Sequence, residues 1–221
     1  MLTLKDVCYR YAKGNQDVLN SVSAEMEGGK LNAIVGPSGS GKTTLLSIMA
    51  GLDRPSSGTV LIDGEDLSGL NLDRYRRERV SIIFQAFQLF PLLTAIENVC
   101  YPIEAMGKQI DERAKELLGA VGISEDKHNR YPSNLSGGEQ QRVAIARALS
   151  TGAKVLLADE PTGNLDTANG QVVVDILKKL AHEQGYCVVI VTHNPEIADV
   201  ADQVMRMKDG VLTVERYSHS T

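Results

Sequence analysis

Apolar residues recur along this chain with two periods, and the change from one to the other predicts its organisation. Between residues 2 and 35 the pattern is short and alternating: Leu2-Thr3-Leu4, Val7-Cys8-Tyr9, then Val22 to Met26 before Gly28-Gly29. Alternation puts apolar side chains on one face of a half-buried strand. Lys13-Gly14-Asn15 reads as a turn between two such strands. The stretch predicts a hairpin-rich sheet leading into Leu31 to Val35, a run of strand length. Gly58 to Ile62 and Val80 to Phe84 predict further strands, the second apolar enough to be buried.

From Thr94 to about Ser150 the period becomes helical. Thr94 precedes Glu97 by three residues, the spacing of a capping box. Ile110 to Val121 predicts an amphipathic helix ending before Gly122. Another starts after Ser136-Gly137-Gly138 and runs through Val143, Ile145, Ala146 and Leu149. Strands and helices then alternate: Val155 to Ala158, a helix over Thr167 to Gln184, Tyr186 to Thr192 and a short helix at Pro195 to Val200. A hairpin turning at Lys208-Asp209-Gly210 closes the pattern. Such alternation implies a parallel sheet covered on both faces.

Between the Leu31 strand and the helical pattern of Leu45, Leu46, Ile48, Met49 and Leu52 lies Gly36-Pro37-Ser38-Gly39-Ser40-Gly41-Lys42-Thr43-Thr44. It fits the phosphate-binding loop, a glycine, four residues, then Gly-Lys-Ser/Thr. Glycines let successive N–H groups turn inward toward anionic oxygens, and the helix start adds unpaired N–H groups and a favourable dipole. Lys42 offers a point charge to the terminal phosphates and Thr43 a hydroxyl to Mg²⁺. A glycine-rich turn would match by accident in about one chain of this length in a hundred, and the strand-loop-helix setting lowers that further.

Composition adds bounds. Hydrophobic residues make up 43% and charged residues 23% of 221 residues, as in ordinary soluble globular proteins. No apolar stretch approaches the roughly 18 residues that would span a bilayer, and Met1 to Asp6 lacks the build of a signal peptide. Cys8, Cys100 and Cys187 stand far apart without metal or redox spacing, which fits a reducing cytosol. A net charge of −5 argues against general nucleic-acid affinity. Arg74, Arg76, Arg77 and Arg79, interleaved with Asp73 and Glu78, read as a solvated helix face. No nucleic-acid partner is expected.

Val155-Leu156-Leu157-Ala158-Asp159-Glu160 is an apolar strand ending in two acids, at the strand end where α/β sheets bind ligands. Beside a phosphate loop, Asp159 is suited to hold Mg²⁺ and Glu160 to orient and polarise an attacking water. Leu135-Ser136-Gly137-Gly138-Glu139-Gln140-Gln141-Arg142 supplies a second helix start with bare N–H groups and a hydroxyl. This sequence resembles the ATP-binding-cassette family, in which that octapeptide is the defining signature. The resemblance runs the length of the chain, with the motifs in family order. Tyr11 matches the aromatic that stacks on adenine, and the phosphate loop follows at Gly36 to Thr43. Gln85 matches the glutamine joining core to helical lobe, with catalytic and metal-binding roles. After the signature come Asp159-Glu160, the interfacial loop Asn164-Leu165-Asp166, and His193 as the switch histidine.

What the resemblance implies is an α/β fold: a RecA-like P-loop NTPase core with an N-terminal antiparallel β subdomain and an inserted α-helical subdomain. One nucleotide-binding domain would span residues 1–221, its core and β subdomain formed by 1–85 and 151–221 and its helical subdomain by 86–150. It also implies a head-to-tail dimer in which each ATP is clasped between Gly36–Thr44 of one copy and Ser136–Glu139 of the other. Asn164 and Asp166 would lie at the interface, and the product would be an active ATPase with Mg²⁺ as cofactor.

Gly51 to Gly58, Phe84 to Val99 and Ala158 to Asp166 are similar to the subgroup containing MacB, LolD, FtsE and haem- and peptide-exporting relatives. That implies a separate integral membrane permease as partner and a place on the cytoplasmic face of a bacterial cell membrane. Apolar residues around Phe87, Leu89 and Phe90 would form the groove for a permease coupling helix. Two readings stay open. One is an exporter subunit for a hydrophobic cargo such as haem, an antimicrobial peptide, a macrolide or a lipoprotein. The other is an FtsE-like ATPase that drives signalling or cell division without transport.

Overall fold

The structure is a computed structural model that describes residues 1–12, 16–105 and 111–215. The expected turn at Lys13-Gly14-Asn15 and the start of the helix at Ile110 lie outside the described residues. In chain order the elements begin with β1 (Leu2–Tyr9), β2 (Leu19–Met26), β3 (Leu31–Val35), α1 (Lys42–Met49), β4 (Ser57–Ile62) and β5 (Glu65–Asp66). Next come α2 (Leu72–Glu78), β6 (Val80–Ile83), α3 (Ala95–Ala105), α4 (Asp111–Ala120) and α5 (Gly137–Ser150). The chain finishes with β7 (Val155–Asp159), α6 (Thr167–Gln184), β8 (Cys187–Thr192), α7 (Pro195–Val200), β9 (Gln203–Lys208) and β10 (Val211–Glu215).

Among the described residues these strands form two sheets, β2-β1-β4-β5 and β10-β9-β3-β8-β7-β6. The first is antiparallel. In the second, β9-β3-β8-β7-β6 run parallel and β10 returns antiparallel along β9. Two expectations need correction. Leu2 to Tyr9 is one bulged strand rather than two short ones: the register shifts between Leu4 and Val7, and Asp6 takes φ 50. Nor does the hairpin-rich sheet lead on into the phosphate-loop strand. β3 belongs to the parallel sheet, because its five residues are all buried and need cover on both faces.

That two-sided burial is visible in how strand residues divide. Ala33, Val35, Leu156, Ala158, Val188 and Ile190 pack in one core with Val143, Val173 and Leu177 from α5 and α6. Their neighbours Ile34, Leu157, Val189 and Val191 point the other way, into a core shared with α1 and the antiparallel sheet. Successive strand side chains alternate faces, so each strand ties the two cores together. Each fully buried Leu, Ile or Val contributes roughly 1.5–3 kcal/mol relative to exposure.

Local chemistry sets the helix ends. Thr94 and Glu97 bond reciprocally ahead of α3, the Glu97 carboxylate accepting from the Thr94 N–H at 2.7 Å. α2 carries the arginine-rich segment outward, with Arg74–Glu78 and Arg76–Asp73 ion pairs along its surface. No described helix is long and apolar enough to cross a membrane.

Candidate active site

Register brings four strand ends to one edge of the parallel sheet. Val35 of β3 lies beside Thr192 of β8, Asp159 of β7 beside Val191, and Ile83 of β6 beside Ala158. Open α/β sheets bind ligands along this carboxyl edge. The phosphate loop, the acid pair, the histidine and Gln85 all follow directly from these ends.

Residues 36–41 leave β3 and turn into α1. Gly41 takes φ 104, and a Cβ there would stand 2.9 Å from the Val18 carbonyl oxygen, so the turn depends on glycine. Lys42 is buried, and its Nζ donates to the carbonyls of Gly36 at 2.7 Å and Pro37 at 2.9 Å. The ammonium thus arches back over the loop. The Tyr11 hydroxyl lies 2.9 Å from Thr44 Oγ1, which places a half-exposed ring at the rim.

Asp159 ends β7 beside the Thr43 side chain. Burial raises the Asp159 pKa above the usual carboxylate range. Thr43's hydrogen bond and the Lys42 charge oppose that rise, and neighbouring Glu160 adds to it. A hydroxyl and a carboxylate are the hard oxygen donors that Mg²⁺ takes. Among the described residues no group of three or more His, Cys, Asp or Glu gathers here or elsewhere.

Glu160 takes φ 47, an uncommon conformation for a residue with a side chain, of the kind that persists at functional sites when its surroundings hold it. Both carboxylate oxygens are held. Thr192 Oγ1 donates to Oε2 at 2.8 Å, and His193 Nδ1 lies 2.7 Å from Oε1. The Thr192 hydroxyl accepts from the Asn194 N–H at 3.0 Å, so its one proton is directed at Glu160. Thr192 is a residue that sequence reasoning missed. It follows an apolar run, and a strand-end threonine carries no signal until its partner is known.

Gln85 and Asn164 are joined side by side: Gln85 Nε2 donates to Asn164 Oδ1 at 3.3 Å and Asn164 Nδ2 to the Gln85 carbonyl at 3.0 Å. No hydrogen bond among the described residues joins Gln85 to Lys42, Thr43 or Asp159. Asp166 caps α6 by accepting from the Asn169 N–H at 2.9 Å, and also binds the Asn169 amide at 2.7 Å.

Ser136 caps α5 in a full capping box. Its hydroxyl accepts from the Glu139 N–H and the Glu139 carboxylate accepts from the Ser136 N–H. Lys127 pairs with the same carboxylate, and that contact, ahead of the Ser136 N–H, lowers the Glu139 pKa. The Glu139 side chain is therefore turned into the helix cap. Gly138 presses on Asn169, whose Oδ1 would be 2.3 Å from a Cβ at that position. Among the described residues, no hydrogen bond links Ser136, Gly137, Gly138 or Glu139 to Gly36–Thr44. Within one chain the two helix starts are thus not joined by hydrogen bonds among the described residues.

A phosphate loop, a hydroxyl–carboxylate pair and a braced glutamate on this sheet edge define a P-loop nucleotide hydrolase. The family model described as "ABC transporter" matches residues 19–163. The chain is 47% identical over 216 residues to the macrolide export ATP-binding/permease protein MacB of Campylobacter jejuni, covering 95% of this chain and 33% of that protein. It is 46% identical over 218 residues to an uncharacterised ABC transporter ATP-binding protein of Thermotoga maritima, covering 95% of this chain and 92% of the relative. Among solved structures it matches the dimeric structure of MJ0796, a bacterial ABC transporter cassette, with a TM-score of 0.89, 39% identity and full coverage of both chains. The same cassette is also known as a dimer in a post-hydrolysis state bound to ADP and Pi. The chain belongs to the ABC transporter family and is an ATPase domain of that family. It spans about a third of the length of the MacB relatives it matches.

Proposed function

We propose that two copies of this chain clasp two ATP molecules head to tail and that closing this clamp drives a membrane permease. What carries the reading is that one chain holds two helix starts suited to anions, at Gly36–Thr44 and Ser136–Gly138, with no hydrogen bond between them among the described residues. Each is half a phosphate site, and a second copy supplies the missing half. A helix start from the partner closes over the γ-phosphate and excludes bulk water.

Each residue has a defined task. Lys42 and the loop N–H groups hold the β- and γ-phosphates, and Tyr11 offers a ring to the adenine. Thr43 and Asp159, with Gln85, would hold Mg²⁺, which would neutralise charge on the phosphate oxygens. Glu160 accepts a proton from the attacking water. Thr192 and His193 fix the angle of that carboxylate, and Asn164 and Asp166 carry the state of one site across the dimer interface. The clamp is favoured while the triphosphate bridges it and opens when the bridge is cut.

The permease would dock at the helical side, near Phe87, Leu89 and Phe90, at the cytoplasmic face of a bacterial membrane. Export or extraction of a hydrophobic cargo, with macrolides, haem, peptides and lipoproteins as candidates, is supported by the likeness to proteins named for macrolide export. The test is to purify the chain with its membrane partner and measure ATP hydrolysis against those cargo classes. Stimulation by one class supports export; hydrolysis indifferent to all of them argues against it.

A further inference from the structure

The hairpin turn at Lys208-Asp209-Gly210 has no part in the chemistry above, yet it lies against the back of the phosphate loop. The Gly210 N–H donates to the Ser40 carbonyl at 3.1 Å. Asn20, near the start of β2, fixes that turn twice. Its N–H donates to the Gly210 carbonyl at 2.9 Å and its Nδ2 to the Asp209 carbonyl at 3.1 Å. Three segments remote in sequence are thus bonded in series: β2, the β9–β10 turn and the phosphate loop.

Close approach holds the three together. The Val18 carbonyl oxygen lies between two glycines with positive φ, Gly41 and Gly210. A Cβ on Gly41 would stand 2.9 Å from that oxygen and one on Gly210 2.5 Å from it. Only residues without a Cβ let backbones meet this closely in that conformation.

The bond to Ser40 has a consequence on the other side of the loop. In a planar trans peptide, the form of every described peptide bond here, C=O and N–H point in opposite directions. With the Ser40 carbonyl drawn toward Gly210, the Gly41 N–H of the same peptide faces away from the hairpin. Among the described residues that N–H meets no acceptor. It stands immediately ahead of α1, where unpaired N–H groups suit an anion.

We propose that the β9–β10 turn, held by Asn20, aims the Gly41 N–H at the phosphates, which makes Asn20 a positioning residue for nucleotide binding. The inference rests on the reading of Gly36–Thr44 as the loop that holds ATP. It adds what keeps that loop in a binding shape before the nucleotide arrives. A donor aimed in advance costs less to use than one that must turn on binding. Released from Gly210, the Ser40 peptide would be free to rotate and to present its carbonyl oxygen to the phosphates instead. The effect belongs to binding rather than to chemistry, because no hydrogen bond among the described residues joins the turn to Glu160, Thr192 or His193. Ground state and transition state hold the same phosphates, so the loss falls on KM and spares kcat.

Steady-state kinetics and glycine-labelled NMR spectra of two variants test this. Asn20→Ala removes one of the two bonds that fix the turn, and the KM for ATP is expected to rise about threefold with kcat unchanged. Gly210→Ala sets a Cβ against the Val18 carbonyl and draws the turn off Ser40. Its KM should rise at least about tenfold, again with kcat unchanged. In the nucleotide-free protein the Gly41 amide signal should move in both variants. A lowered melting temperature with KM at the wild-type value would reduce the turn to a structural prop. A fall in kcat at constant KM would place its effect on the chemistry, and a Gly41 signal unmoved in both variants would show that nothing was aimed. Each of these outcomes overturns the proposal. Lys42→Ala separates it from the reading beneath it. If that variant binds ATP as the wild type does, the loop reading itself fails. If it loses binding while both turn variants keep theirs, only the aiming role fails.

Discussion

At the scale of single residues, the chemistry rests on how Glu160 and Asp159 are held. Glu160→Gln keeps the shape of the side chain and removes the proton acceptor. Turnover is expected to fall by at least about a hundredfold while ATP still binds; hydrolysis at the wild-type rate would dismiss the general base. Thr192→Val removes the hydroxyl that aims the carboxylate. A kcat loss of about tenfold with KM unchanged is expected, restored in Thr192→Ser; equal activity of Val and Ser variants would leave Thr192 a packing residue. Asp159 behaves differently because burial raises its pKa. A raised carboxylate pKa means the folded state favours the protonated form, so the ionised group costs stability once pH exceeds that pKa. Asp159→Asn should therefore raise the melting temperature at neutral pH while abolishing turnover. That gain should shrink as pH falls through the Asp159 pKa; a gain independent of pH would dissociate it from the charge.

At the scale of elements, a helix start that the proposed clamp uses as an anion site is also a structural cap. Ser136→Ala removes one arm of the capping box of α5. The expected cost is about 1 kcal/mol, a fall of about 2–4 °C in melting temperature. Under the proposed clamp, hydrolysis should fall further than that loss explains, since the same hydroxyl would face the partner's phosphate. A thermal shift with full activity would confine Ser136 to capping. The elements themselves were largely readable. α6 and α7 match their predicted spans because Asp166, Asn194 and Pro195 mark their starts in local chemistry. α2 was anticipated only as a charged helix face, and the sheet membership of β3 was misjudged. Strand partners are chosen by residues far away in sequence, which a local period does not record.

At the scale of the whole molecule, the proposed output is closure of two copies around nucleotide. With Glu160→Gln, added ATP should convert monomer to dimer in size-exclusion chromatography, and Lys42→Ala should prevent the conversion. A Glu160→Gln protein that stays monomeric at saturating ATP would overturn the clamp. Residue order alone determined a good deal: the phosphate loop, the acid pair, the signature and the helix caps are short-range patterns whose chemistry is complete within a few residues. Tertiary structure decided what joins them. Parallel register, set by which apolar strands share a core, placed Val35, Thr192 and Asp159 on one edge and so gave Glu160 its two braces. The same packing set Arg147 against the carbonyls of Phe87 and Gln88, residues about sixty positions away, beside an apolar groove. Distances between remote residues follow from burying both faces of one sheet, a global constraint that no local stretch of sequence contains.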